Sequence, residues 1–210
     1  MAACLAGLAG FVDATGFLAS GGFFLSFMSG NSTRLGVGLA GAPEQAIMAG
    51  GLIVAFVVGV TFGTLLGRAA GPHRRAVVLA LLAAVLGLAA VLASLHIMFP
   101  PLLLTALAMG AENTVFEADG DVRISLTYMT GNLVKVGQRL AATLRGGDRW
   151  GWLPYLILWS AMVGGAVAGA VASPALGLAA LWVAAAAALV LAGAAAMIGP
   201  ELLPDPAQTH

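Results

Sequence analysis

The sequence predicts an all-α membrane protein that contains two copies of one helical unit. Of its 210 residues, 60% are hydrophobic and 9% are charged, whereas about 25% are charged in an ordinary soluble domain. The four residues 28–31 (Met-Ser-Gly-Asn) recur as 129–132 (Met-Thr-Gly-Asn) in the second half of the chain. A repeat in an apolar chain is typical of the repeated architectures of membrane transporters.

The chain is long enough for about six transmembrane helices. A bilayer core about 30 Å thick requires about 20 apolar residues per helix. Such runs occur at 2–25, 45–66, 76–98, 102–116 with a ragged continuation, 152–172 and 175–198. A count of eight, with the segments after the motifs as full spans, would put Lys135 and Arg139 into hydrocarbon, so we expect six.

These spans are expected to form one transmembrane domain over 1–210. Repeat 1 covers about 1–99, repeat 2 about 100–199, and a short polar tail 200–210. Three spans per repeat is an odd number, so the second repeat would enter from the opposite face, which makes the repeats inverted. Pro100 and Pro101 are expected to form the stiff turn between them, since neither can continue the preceding helix.

The first helix of each repeat is expected to be broken just before its motif. Gly21 and Gly22 interrupt the first helix, and a polar stretch at 117–123 interrupts its counterpart. Unwound backbone at membrane depth is tolerated only inside protein or against a wet cavity, so paired interruptions indicate a transport site. The polar stretch also fits a solvated loop with Arg123 as its counter-charge.

Each motif offers the start of a helix, where free N–H groups favour an anion, and a cation three residues after the Asn on the same face. The predicted substrate-binding residues are Ser29, Gly30, Asn31, Arg34, Thr130, Gly131, Asn132 and Lys135. The alternative is that the glycines allow close helix contact and the two Asn side chains hydrogen-bond across an interface.

Two carboxyl groups and an amide in the spans are candidates for proton coupling. Asp13 lies within the first span, and Glu112 and Asn113 lie deep in the fourth. An ionised carboxylate is costly there, and burial favours its protonated form, so either acid could accept and release a proton. The alternative for Asp13 is a structural bond to a neighbouring helix.

Ridges of small residues spaced by one helical turn predict close helix packing, either inside the protomer or in a homodimer. These ridges consist of Gly59, Gly63 and Gly67 in repeat 1 and of Gly165, Gly169 and Ser173 in repeat 2.

The basic residues predict the orientation. If both termini share one side, the opposite loops hold only Arg34. The loops beside the termini then carry Arg68, Arg74, Arg75, Lys135, Arg139, Arg145 and Arg149. The positive-inside rule places both termini in the cytoplasm.

Several function classes find no support in the sequence. It contains no Gly-x-Ser-x-Gly elbow, His-Glu-x-x-His motif, Walker motif or dinucleotide fingerprint, so we expect no enzyme and no cofactor. The zero net charge argues against a nucleic-acid partner, and the single Cys4 excludes a Cys-based metal site. The expected partners are the lipid bilayer and a small solute or ion.

Residues 10–17, 23–31 and 127–135 resemble the YoaK-like bacterial membrane proteins, also called domain of unknown function 1275. The resemblance covers nearly the whole chain, although Ser29 stands where that family usually has Thr. It implies a multi-pass protein of the bacterial inner membrane and supplies no settled substrate.

The leading hypothesis is a small secondary transporter or channel for a small anionic or polar solute, with proton coupling. The competing hypothesis is a non-transporting scaffold or accessory subunit that uses the motifs for helix packing. Convergence of Asn31 and Asn132 on a hydrated pocket would favour transport, whereas dry helix contacts at both would favour the scaffold.

Overall fold

The computed structural model describes residues 1–118, 121–122 and 129–198, with side chains over 1–116 and 129–198. Its helices are α1 (Ala2–Ala19), α2 (Met28–Gly41), α3 (Pro43–Ala70), α4 (Arg74–Ser94), α5 (Phe99–Glu112), α6 (Met129–Leu144), α7 (Leu153–Leu176) and α8 (Leu181–Ile198). Two strands of two residues each, β1 (Glu117–Ala118) and β2 (Asp121–Val122), pair in antiparallel fashion between α5 and α6. The predicted all-α class is confirmed.

Among the residues that the structure describes, three continuous helical segments are long and apolar enough to cross a membrane: Ala2–Ala19, Pro43–Ser94 and Leu153–Ile198. The second contains α3 and α4 joined by a 3-10 helix at Gly71–His73, and the third contains α7 and α8 joined at Gly177–Ala180. The shorter α5 is also apolar. Together these helices match the six runs of the sequence, and the number that cross a membrane stays a prediction.

The first predicted run does not continue as one helix to residue 25. Helix α1 ends at Ala19, because Gly21 and Gly22 adopt φ angles of 73° and 105° that side-chain-bearing residues rarely adopt. The chain then continues without helix until α2 begins at Met28. The predicted break is therefore present. The 200–210 tail and Arg123 lie outside the described residues.

The expected Pro100-Pro101 turn is wrong in its position. Both prolines lie in the first turn of α5, which begins at Phe99. A proline is tolerated there because the first N–H groups of a helix have no partner within it. The turn between the halves precedes them, where His96 has a φ of 60°.

Glycines bring α1 against α7 and α3 against α5. A methyl group at Gly165 would overlap the carbonyl of Gly7, and one at Gly169 would overlap Phe11, so α1 and α7 run in the same direction. In the other pair, Gly59 meets Leu107. Each half thus contributes one helix to each close pair.

The predicted glycine ridges are used within the chain. Gly63 packs against Ala111, and Gly67 lies against the Arg74 side chain. These contacts account for the ridges as internal packing surfaces, and a homodimer through them stays a prediction. The core between the helices is built mostly from leucine and alanine, with Leu79, Leu82 and Leu86 of α4 fully buried.

One end of the bundle collects the N-terminus, the turn before α4 and the end of α8. Met1, Arg75 and Ile198 line one cavity of about 30 Å³. Just after α5, the Thr114 carbonyl accepts a hydrogen bond from Nε of Arg74 at 3.1 Å. Helix α1 therefore begins, and α5 ends, on the side of the bundle that carries these arginines.

Gly165→Ala is expected to destabilise the protein because its methyl group cannot fit against the Gly7 carbonyl unless α1 and α7 separate. Overpacking of this kind typically costs about 1–3 kcal/mol. The matched control is Gly164→Ala, since nothing lies within 4 Å of a methyl group at that position. Thermal unfolding in detergent would measure both variants, and equal stability would contradict the described α1–α7 contact.

Candidate functional site

Asp13 holds the broken segment between α1 and α2. Its Oδ1 accepts hydrogen bonds from the backbone N–H groups of Leu25 at 2.7 Å and Ser26 at 2.6 Å. Its Oδ2 accepts a third bond, from Oγ of Ser26, at 2.6 Å. Such bonds to a carboxylate are among the stronger hydrogen bonds in proteins. Asp13 is thus bonded to the broken segment rather than to a neighbouring helix, and its role in proton coupling stays a prediction.

Asn31 binds the same segment from the other side. Its Oδ1 accepts from the backbone N–H of Phe24 at 3.1 Å, and its Nδ2 donates to the Phe24 carbonyl at 2.7 Å. The side chain is fully buried. Asn31 and Asp13 therefore satisfy backbone groups that have left the helical ladder, as membrane depth requires. Asn31 thus uses its amide on the broken segment, and its predicted role in solute binding stays a prediction.

The second motif repeats part of this arrangement. Nδ2 of Asn132 lies 3.7 Å from Sδ of Met129, and Nδ2 of Asn31 lies 3.5 Å from Sδ of Met28. Asn132 is buried, with 7% of its surface exposed. The counterpart of the Phe24 segment falls within 123–128, outside the described residues.

The two predicted cations lie against aromatic rings. The Arg34 guanidinium is 4.7 Å from the centroid of the Phe23 ring, and Nζ of Lys135 is 5.1 Å from that of Tyr155. A methyl group at Gly22 would overlap the Arg34 guanidinium, so this guanidinium packs directly against the backbone of the break. These cation–π contacts stabilise each charge locally.

A groove of about 680 Å³ lies between α1, the break, the start of α6 and α7. The break contributes Phe24 and Phe27, and the second motif contributes Met129 and Thr130. The groove therefore lies between the broken segment of the first half and the start of the second motif.

Few of the predicted site residues face this groove. Among its described lining residues, those with polar side-chain groups are Asp13, Thr130 and Trp159, and the others are apolar. The predicted residues outside that lining are Ser29, Gly30, Asn31, Arg34, Gly131, Asn132 and Lys135. The two asparagines thus do not converge on the groove.

Glu112 differs from Asp13 in its surroundings. It is fully buried at the end of α5, and neither carboxyl oxygen has a hydrogen-bond partner in the part of the chain that the structure describes. The neighbouring Asn113 donates from Nδ2 to the Met109 carbonyl at 2.9 Å. Asp13 lies on α1 and Glu112 on α5, and these two helices are in contact.

Sequence reasoning missed the aromatic wall of the groove and the part played by Ser26. Phe24 packs against Phe17, with ring centroids 5.0 Å apart, and against Phe27 at 5.4 Å. The recurrence of Ser26 as Thr127 was a signal that a hydroxyl is needed at this position. Only the structure shows that this hydroxyl donates a hydrogen bond to Asp13.

The fold and site define an all-helical membrane protein with a broken helix beside a cavity. The chain belongs to the DUF1275 family, described as proteins of unknown function, whose model matches residues 1–194. It is 35% identical over 203 residues to a UPF0700 transmembrane protein of Rhizobium meliloti (strain 1021), covering 94% of this chain and 86% of that protein. No solved structure matches the chain.

Asn31→Ala is expected to loosen the break because it removes the side-chain partner of the partly buried N–H and C=O of Phe24. An unsatisfied buried group costs about 1–3 kcal/mol. We expect faster amide hydrogen exchange at Phe24 and a lower free energy of unfolding. Ser32→Ala is the matched control, since that exposed hydroxyl bonds only within its own helix, to the Met28 carbonyl. Unchanged exchange at Phe24 would contradict the assigned role of Asn31.

Proposed function

We propose that the protein is a small secondary transporter or channel whose solute passes through the groove beside the broken helix. The observation that carries the proposal is the groove itself, where the break of the first half meets Met129 and Thr130 of the second half. Its volume of about 680 Å³ lies within the about 300–1,000 Å³ that is typical of small-molecule sites. Unwound backbone at a cavity is the usual construction of a transporter site.

Of the two solute classes predicted from the sequence, a polar solute fits this groove better than an anionic one. The described lining includes Asp13 and Thr130 and carries no basic side chain. Arg34 and Lys135, on which the anion prediction depended, pack on aromatic rings instead. Binding by the two asparagines is less favoured, because Asn31 uses its amide on Phe24.

The proposal includes two inverted repeats. The support for these repeats is that the first helix of each half packs against a helix of the other half. Helix α1 packs against α7 and α5 against α3, and both contacts are made through glycines. Further support is the opposite direction of α1 and α5 relative to the arginine end of the bundle. Alternating access by one repeat against the other is the motion that such symmetry allows.

The proposed orientation places the arginine end in the cytoplasm of a bacterial cell, with the protein as a multi-pass component of the inner membrane. Arg74 and Arg75 lie at this end, together with Met1 and the end of α8. Basic residues concentrate on the cytoplasmic side of membrane proteins. The proposal requires no enzymatic step and no cofactor, and its partners are the bilayer and the solute.

A specific observation favours a second candidate, a non-transporting scaffold or accessory subunit. Asn31, the most distinctive residue of the first motif, is engaged in hydrogen bonds within the protein. If the second motif is also structural, the repeats need only build a rigid bundle. The groove distinguishes the two candidates, since a scaffold has no need of passage through it.

Ala170→Trp is expected to abolish solute flux because Ala170 lines the groove and an indole ring would occupy it. Ala168→Trp is the matched control, since Ala168 lies on the same helix but lines a different cavity, of about 450 Å³, between α1, α7 and α8. Flux would be measured in proteoliposomes across a panel of small polar and anionic solutes. Flux that both variants retain would contradict passage through the groove, and absence of flux in the wild-type protein would favour the scaffold.

A further inference from the structure

Glu112 is a buried acid without a partner. Neither of its oxygens accepts or donates a hydrogen bond among the described residues, and none of its surface is exposed. Asp13, by contrast, accepts three hydrogen bonds from the break. The sequence alone does not distinguish these two acids. In the structure they differ in whether the carboxyl group has hydrogen-bond partners.

Three helices that pack against α5, namely α1, α3 and α4, carry charged groups. Helix α1 carries Asp13, α3 carries Arg68, and α4 carries Arg74 and Arg75. Nε of Arg74 donates to the Thr114 carbonyl, and the Arg75 guanidinium lies 5.4 Å from the centroid of the Phe116 ring. No hydrogen bond from these described guanidinium groups reaches the Glu112 carboxyl.

An ionised carboxylate in this position would have no hydrogen-bond donor among the described residues. Burying such a charge is costly, and a second carboxylate nearby raises the cost because like charges repel. Asp13 supplies the second carboxyl group, because it lies on α1, which is in contact with α5. The packed arrangement is therefore compatible with a proton on Glu112 and an ionised Asp13 that its three donors stabilise.

We propose that Glu112 is a proton-binding site whose state controls the break through Asp13. When water reaches the α1–α5 contact, the O–H bond of the Glu112 acid breaks and the proton passes to that water. The carboxylate left behind then repels Asp13. Because Asp13 holds the N–H groups of Leu25 and Ser26, its displacement loosens the break and alters the groove that it borders.

This inference extends the proposed function. The claim that proton binding at Glu112 is coupled to solute transport rests on that proposed function. It assigns the proton to Glu112 and gives Asp13 the role of a positioning residue. Proton binding and the response of the break require no solute, so they can be tested whether or not transport is found.

The test is amide hydrogen exchange at Leu25 and Ser26 as a function of pH, expressed as protection factors, combined with infrared difference spectroscopy of carboxyl groups. In the purified wild-type protein we expect a protonated-carboxyl band to disappear as pH rises, and protection to fall on the order of tenfold over the same range. Glu112→Gln should lose the band and keep protection constant with pH. Asp13→Asn should keep the band and lose the coupled change in protection.

The control is Glu44→Gln, because Glu44 lies exposed in the first turn of α3 and should leave both signals unchanged. A band that survives in Glu112→Gln would overturn the inference, as would wild-type protection that does not follow the band. The wild-type titration needs no variant, so a misfolded Glu112→Gln would not remove the test. If the wild-type protein shows no solute flux but its carboxyl band and amide protection change with pH as expected, only the transport proposal is rejected. If it shows flux but protection at Leu25 and Ser26 does not change with pH, only this inference is rejected.

Discussion

The structure depends on the hydrogen bonds that hold the chain between α1 and α2. Where the helix ends inside an apolar bundle, each freed N–H and C=O would cost free energy without a partner. The Asp13 carboxyl accepts hydrogen bonds from the N–H groups of Leu25 and Ser26. The Asn31 side chain accepts a bond from the N–H of Phe24 and donates one to its carbonyl. The break can persist at this depth because two side chains replace the missing helical bonds.

The surrounding helices make that replacement possible. Close approach at Gly165 and Gly169 fixes α1 against α7, and this contact sets the position of Asp13 relative to the start of α6. In lipid, helices associate through such small-residue contacts because no hydrophobic force drives them together. The groove lies between these two helices, the break and the start of α6. The same contacts therefore produce both the framework and its cavity.

Local features of the fold could be predicted well from the sequence. The glycine pair at 21–22 and the apolar runs are properties of a few adjacent residues, and both appear in the structure. The Pro100-Pro101 turn was misplaced because a proline that ends one helix is equally suited to begin the next.

The candidate site was predicted less well, for a different reason. Helices that are apolar on all faces give no periodic signal of which face meets which neighbour. The pairing of α1 with α7 across the two halves, and hence the aromatic groove, could not be predicted from such a pattern. Asp13 and Glu112 likewise resemble each other in sequence. Only the structure shows that Asp13 is hydrogen-bonded to the break, whereas Glu112 has no hydrogen-bond partner among the described residues.

The most direct test of the account is whether water-borne molecules enter the groove. A single cysteine replacing Thr130, in a background with the exposed Cys4 changed to Ala, would be treated with a small membrane-impermeant thiol reagent in proteoliposomes. The account predicts rapid labelling of that cysteine and none of a cysteine replacing Leu189, which is 63% exposed on the apolar surface of α8. A Thr130 position as unreactive as Leu189 would contradict a solute pathway beside the broken helix.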